Sequence, residues 1–143
     1  MSNINDGLKL TGKLIIALNG RTVQEVDNLV VTAGKGYVAS RIKDATATAM
    51  SHMAIGSGTN NPAAGDTALQ TELGRVALTS TTVSAAVVTY VATFGAGTGT
   101  GAVTEAGILN ASSSGTLLCR TEFSVVNKGS SDSMTVTWTV TVS

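Results

Sequence analysis

Few residues in this chain could do chemistry. There is one histidine, His52, and one cysteine, Cys119. A zinc centre draws several converging ligands, and a nucleophilic triad needs a histidine oriented by a third group. Two lone residues far apart in sequence supply neither. Ser51 adds little to His52, because neighbours on a strand point to opposite faces. Cys119 lies in an apolar run and reads as a small buried hydrophobe. The carboxylates Asp6, Glu25, Asp27, Asp44, Asp66, Glu72, Glu105, Glu122 and Asp132 sit in polar or turn contexts that suit solvation, capping or pairing. Glu105, inside GAVTEAGILN, has the least evident role, with Arg75 and Arg120 as candidate partners. A carboxylate pair acting on sugars would want aromatic platforms, and aromatic residues make up only 3% of the chain.

Three glycine patterns invite a phosphate-binding reading. Gly7 and Gly12-Lys13 fit G-x-x-x-x-G-K, but Leu14 stands where a P-loop needs Ser or Thr for magnesium, and LIIAL reads as a strand rather than a helix. GAGTGTG, Gly95 to Gly101, has Thr100 where a dinucleotide fingerprint needs glycine, and no βαβ pattern surrounds it. The third is MAIGSGTNNPAAGDTALQTEL, Met53 to Leu73. A glycine turn feeding a helix start is where anions bind, but Asp66 at that start would repel one. The stretch reads as a corner: Gly56 and Gly58 release a strand, Pro62 stiffens the turn, and Asp66 caps a short helix carrying Leu69 and Leu73 at i, i+4.

The elements that must hold these residues are mostly strands. SMTVTWTVTV alternates Met134, Val136, Trp138, Val140 and Val142 with threonines, a period of two with one buried face. KLTGKLIIALNG places Leu10, Leu14, Ile16 and Leu18 on one face, with Gly12 as a bulge candidate, and Asn19-Gly20 predicts a hairpin to RTVQEVDNLVV. SHMAIGS is a short strand. RVALTSTTV and AVVTYVATFG make a further pair, the second with Val88, Tyr90, Ala92 and Phe94 on one side. TEAGILNA and TLLCRTEFSVVNKG follow, the latter with Leu117, Cys119, Phe123 and Val125 together. TAGKGYVASRIKD has helical spacing at Tyr37, Val38, Arg41 and Ile42, with Thr32 as N-cap. About eight strands at short spacing predict one antiparallel β-sandwich of jelly-roll type with one or two short helices.

Composition narrows the function. The 143 residues carry nine basic and nine acidic groups, for a net charge of zero. Nucleic-acid binders usually show a basic excess. Only 13% of residues are charged, against about 25% in ordinary domains, so threonine, serine, glycine and alanine must cover the surface. Such a surface suits protein–protein packing. No signal sequence or membrane-spanning run is visible, which predicts synthesis in a reducing cytoplasm.

Four segments also carry a resemblance: NLVVTAGKGYVASRI, MSHMAIGSGTNNPAAGDTALQTELGR, VVTYVATFGAGTGTGAVTEAGILNA and LLCRTEFSVVNKGSSDSMTVTWTVTV. Their order and spacing resemble a module of virion proteins of tailed bacteriophages. The shared pattern falls on Asn28 to Gly34, Ala54 to Glu72, Val88 to Phe94, Thr104 to Asn110 and Asp132 to Thr139. The module is similar to parts of tail-fibre and baseplate proteins and to small head cement (decoration) proteins. The resemblance implies a structural role without catalytic residues or cofactors. A stand-alone chain of this length, without shaft repeats, is more similar to a cement protein. The implied partners are the major capsid protein of an HK97-like shell and further copies of the chain, as dimer or trimer, on the capsid surface of the virion. A tail, baseplate or receptor-binding fibre module is the alternative. A small hydrolase or sugar-binding sandwich is a third reading, from a different class.

A single domain over residues 1–143 is expected, with residues 1–7 as an extended arm. The candidate contacts to a sister subunit or capsid are Asn3, Asn5 and Asp6 in the arm and Gly95, Gly97, Gly99 and Gly101 in the glycine loop, as segments that order on binding. No metal, cofactor, nucleic acid or membrane is expected.

Overall fold

The hairpin signal at Asn19-Gly20 joins β1 (Leu10–Leu18) to β2 (Arg21–Val30). Both turn residues lie at positive φ, 51° and 81°, as a two-residue type I′ connection requires. The structure is a computed structural model describing residues 7–44 and 47–143. After β2 come α1 (Thr32–Lys43), β3 (His52–Gly56), β4 (Glu72–Ala77), β5 (Ser80–Ser84), β6 (Val87–Phe94), β7 (Gly101–Leu109), β8 (Leu117–Lys128) and β9 (Met134–Val142).

Every strand pairing is antiparallel, and the strands form one sheet in the order β4-β3-β7-β8-β2-β1-β9-β6-β5. The all-β expectation is met. The two layers of the sandwich are two halves of this one curled sheet. Two seams join the halves. At one, β2 pairs with β1 along most of its length but with β8 only at Leu29↔Arg120 and Val30↔Cys119. Side chains bridge the splayed part: Thr121 Oγ1 donates to Asp27 O at 2.8 Å, and Gln24 Nε2 donates to Ser124 O. At the other seam, consecutive residues bond to opposite halves: Leu78 N to Ser51 O at 2.9 Å, Thr79 N to Val91 O at 2.7 Å.

The core fills the space between the halves. Leu14, Ile16, Tyr90, Phe94, Val136 and Trp138 come from one half, and Met53, Ile55, Ile108 and Phe123 from the other. Each large apolar side chain so buried contributes roughly 1.5–3 kcal/mol. The alternation of β9 therefore reads true: Met134, Val136, Trp138 and Val140 are all buried. Tyr37 and Val38 of α1 close over this core.

Several local expectations need correction. Gly12 is not a bulge. It stays in register with Asn28 and Val140, and the irregularity falls at Ile16/Ala17. A Cβ on Gly12 would lie 1.6 Å from Asn28 Oδ1, so the Asn28 side chain occupies that space. Thr32 is the first helical residue rather than the cap. The N-cap is Val31, with no side-chain cap bond; the Thr32 N–H is satisfied instead by Ala64 O at 2.8 Å. RVALTSTTV is two strands, bent at the second seam. On β8 the register shifts opposite Val103–Glu105, which turns Val125 out, 51% exposed, and Val126 in.

Candidate functional site

The β3–β4 connection, residues 57–71, does not form the expected helix. It folds as an irregular roof over the outer face of β3, β7 and β8. Under it lies a second, smaller apolar cluster of Val31, Ala54, Leu69, Leu109 and Leu117. Beside that cluster two charged side chains, Glu105 and Arg120, are removed from water, at 0% and 2% exposure.

Their positions follow from strand register. Glu105 sits opposite Glu122 and Arg120 opposite Gly107, so the two lie diagonally on neighbouring strands and on one face. Gly107 leaves room there: a Cβ on it would come within 2.9 Å of Leu117 and Leu69. Arg120 Nε donates to Glu105 Oε1 at 3.0 Å. The same oxygen accepts Gln70 N–H at 2.8 Å, while Oε2 accepts Gly58 N–H at 2.8 Å and Thr71 N–H at 2.7 Å. The remaining guanidinium nitrogens donate to Asp66 Oδ2 and to Asn60 O, each at 3.1 Å. An unpaired buried charge costs several kcal/mol; here each carboxylate oxygen has two donors and each guanidinium nitrogen an acceptor.

This network explains why residues 66–73 are not helical. A helix would direct the Gln70 and Thr71 N–H groups to carbonyls four residues back. Glu105 takes both instead. Asp66 accepts Ala63 N–H at 2.9 Å and pairs with Arg120, so it braces the roof rather than capping a helix. Gln70 Oε1 accepts the N–H groups of Thr59 and Asn60, both at 2.9 Å. Leu69 is buried while Leu73 is 36% exposed, so the i, i+4 pair does not share a face. The glycine turn does cradle an anion, and the anion is the chain's own. A Cβ on Gly56 or Gly58 would lie 2.7 or 2.4 Å from Glu105 Oε2.

Burial raises the Glu105 carboxyl, but the N–H groups of Thr71, Gln70 and Gly58 and the Arg120 guanidinium outweigh it and hold it below the usual carboxylate range. Of the two partners weighed for Glu105, the fold selects Arg120. Arg75 pairs with Glu72 at 2.7 Å and donates to Ala111 O and Ser114 O, both at 2.9 Å.

The glycine loop crosses between the two halves rather than closing a hairpin. Gly97 is exposed, Gly95 and Gly101 half-buried, and Gly99 buried. At φ +67°, Gly99 packs on Ile55, where a Cβ would meet Cδ1 at 2.5 Å. Gly95 O accepts Lys128 Nζ at 2.9 Å. The loop is thus tied to its own fold, and its exposed residues are Ala96, Gly97 and Thr100. Asn3, Asn5 and Asp6 lie outside the described residues.

Ser51 Oγ lies 2.7 Å from His52 Nδ1, contrary to the expectation from strand alternation, because Ser51 precedes β3. Among the described residues no carboxylate hydrogen-bonds that ring, so the pair lacks an orienting third group. Cys119 is fully buried, and burial pushes its thiol far up. Burial, with Cys119 and Tyr37 nearby, also pushes the Tyr90 phenol up to about 12. Among the described residues no three His, Cys, Asp or Glu side chains converge as a metal site would need, and no helix is long and apolar enough to cross a membrane.

No family model, curated protein or solved structure matches the chain.

Proposed function

We propose that this chain is a virion structural protein that binds the outer surface of a tailed-bacteriophage capsid and cements adjacent capsomers. The observation that carries the reading is where the residues of the virion-module pattern fall. Gly56, Gly58 and Asp66 of the turn and Glu105 of the TEAG segment all belong to the network that fastens the roof to the sheet. Gly34, from the segment that opens α1, permits the helix to lie on β8, where a Cβ would be 2.0 Å from Leu118 O. Within the pattern, Gly56 and Gly58 abut Glu105, and Glu105 holds the Gly58, Gln70 and Thr71 amides, as befits a rigid adhesive module. The sparsely charged surface supports the same reading, since contacts without ion pairs depend little on salt. Repetition over a shell makes weak contacts add up.

Mass spectrometry of purified virions tests it. The expected result is hundreds of copies per particle, in fixed ratio to the major capsid protein and retained at high salt. A few copies that fractionate with tails would replace this reading with the tail or fibre module. Absence from virions would end both.

A further inference from the structure

The two ends of the sheet are finished differently. β4 carries Glu72 and Arg75, which pair with each other, and Arg75 reaches on to the β7–β8 loop. Charge on an edge strand blunts its tendency to recruit another strand. β5, at the opposite end, has the sequence Ser80-Thr81-Thr82-Val83-Ser84 and, among the described residues, pairs on one side only, with β6. It has no charge, proline or bulge, all five residues are exposed, and Val83 is 71% exposed. No charged residue occurs anywhere from Val76 to Thr104. Val83 lies opposite Val88 and Thr81 opposite Tyr90. Their face is therefore the one on which Val88, Tyr90 and Val140, with Tyr37 and Val38 of α1, line a groove of about 310 Å³ that is apolar apart from Arg41. An unpaired backbone row next to an apolar groove is how a sheet accepts an added strand.

The geometry points to a second copy of this chain as the occupant, joined β5 to β5 in antiparallel fashion about a two-fold axis through Thr82. A neutral edge meets an identical edge without repulsion, and the chain's net charge is zero. The edge also presents the donors and acceptors that its own copy needs. Centring the axis on Thr82 is the one register that pairs all five residues: Thr82 with itself, Thr81 with Val83 of the second copy, Ser80 with Ser84. Both grooves then open on the same side of a continuous two-subunit sheet, and each Val83 is flanked by a threonine. The inference deepens the proposed cement role by naming one partner, but its test is made on the isolated full-length chain.

Sedimentation and oxidative cross-linking decide it. Residues directly opposite across an antiparallel pair have Cα atoms about 4.5–5.5 Å apart, within disulfide reach. A Thr82→Cys chain should therefore cross-link to itself under mild oxidation. Ser80→Cys alone should not, because its copies would lie four residues apart along the strand, roughly 14 Å at the rise of about 3.4 Å per residue. The unmutated chain, whose one thiol is buried, is the control. Wild type should sediment as a concentration-dependent dimer. Val83→Lys should raise the dimer dissociation constant at least about tenfold with an unchanged circular dichroism spectrum. A wild type that stays monomeric at high concentration, a Val83→Lys chain that dimerises as wild type does, or equal cross-linking at positions 80 and 82 would overturn the inference. A monomer that still decorates heads would leave the cement reading standing. A dimer absent from virions would remove that reading alone.

Discussion

Glu105 and Arg120 meet at 3.0 Å on adjacent strands, both withdrawn from water, beneath a loop that neither belongs to. The carboxylate holds the two ends of that loop, at Gly58 and at Gln70–Thr71, and the guanidinium holds its middle, at Asn60 and Asp66.

Replacing Glu105 by glutamine keeps the shape but leaves Arg120 buried without its countercharge and turns an amide toward N–H donors. The expected cost is about 3–5 kcal/mol, read as a lower urea midpoint. A loss under about 1 kcal/mol would show that the pair does not anchor the roof.

The same residue sets an acid limit. The folded protein holds the Glu105 carboxyl below its usual range, so the stability it contributes is complete above the unfolded carboxylate value of about 4.3 and drains away as pH falls through the lower folded value. Urea midpoints between pH 7 and pH 3 should fall in the acid range for wild type and fall less for Glu105→Gln. Parallel curves would place the acid sensitivity elsewhere.

Two glycines of one loop should respond differently to alanine. Both have positive φ, 81° at Gly97 and 67° at Gly99, but only Gly99 has a neighbour that a Cβ would strike. Gly97→Ala should cost about 1–2 kcal/mol for the left-handed backbone. Gly99→Ala adds a clash with Ile55 and should cost about 2–4 kcal/mol. Equal thermal shifts would show that the loop is not packed on Ile55.

Trp138 is fully buried at the centre of β9. Its fluorescence should be blue-shifted and shielded from iodide in the native protein, and Trp138→Ala should cost about 3–5 kcal/mol. A spectrum of a solvated indole would contradict the core described here.

The strands were legible where pattern and pairing are local. Asn19-Gly20 predicts its hairpin, and the threonine alternation of β9 predicts which side is buried. Legibility failed where distant groups decide. The helix expected after Asp66 had a cap residue and leucine spacing in its favour, but Glu105, more than thirty residues along the chain, claims the amides it would have used. Val125 was misplaced because the shift that turns it outward depends on β7, not on β8's own sequence. For Glu105 the sequence supplied two candidate arginines, and only the register, which sets Arg120 diagonal to it, distinguishes them.

The three loop groups held by the Glu105 carboxylate are peptide N–H groups, not side chains. A peptide N–H is present whatever residue carries it, proline excepted. The exposed positions of the roof, such as Asn61, Thr67 and Ala68, are therefore free to diverge while the anchor stays fixed. One interior carboxylate thus lets the molecule change its outer identity without renegotiating its fold.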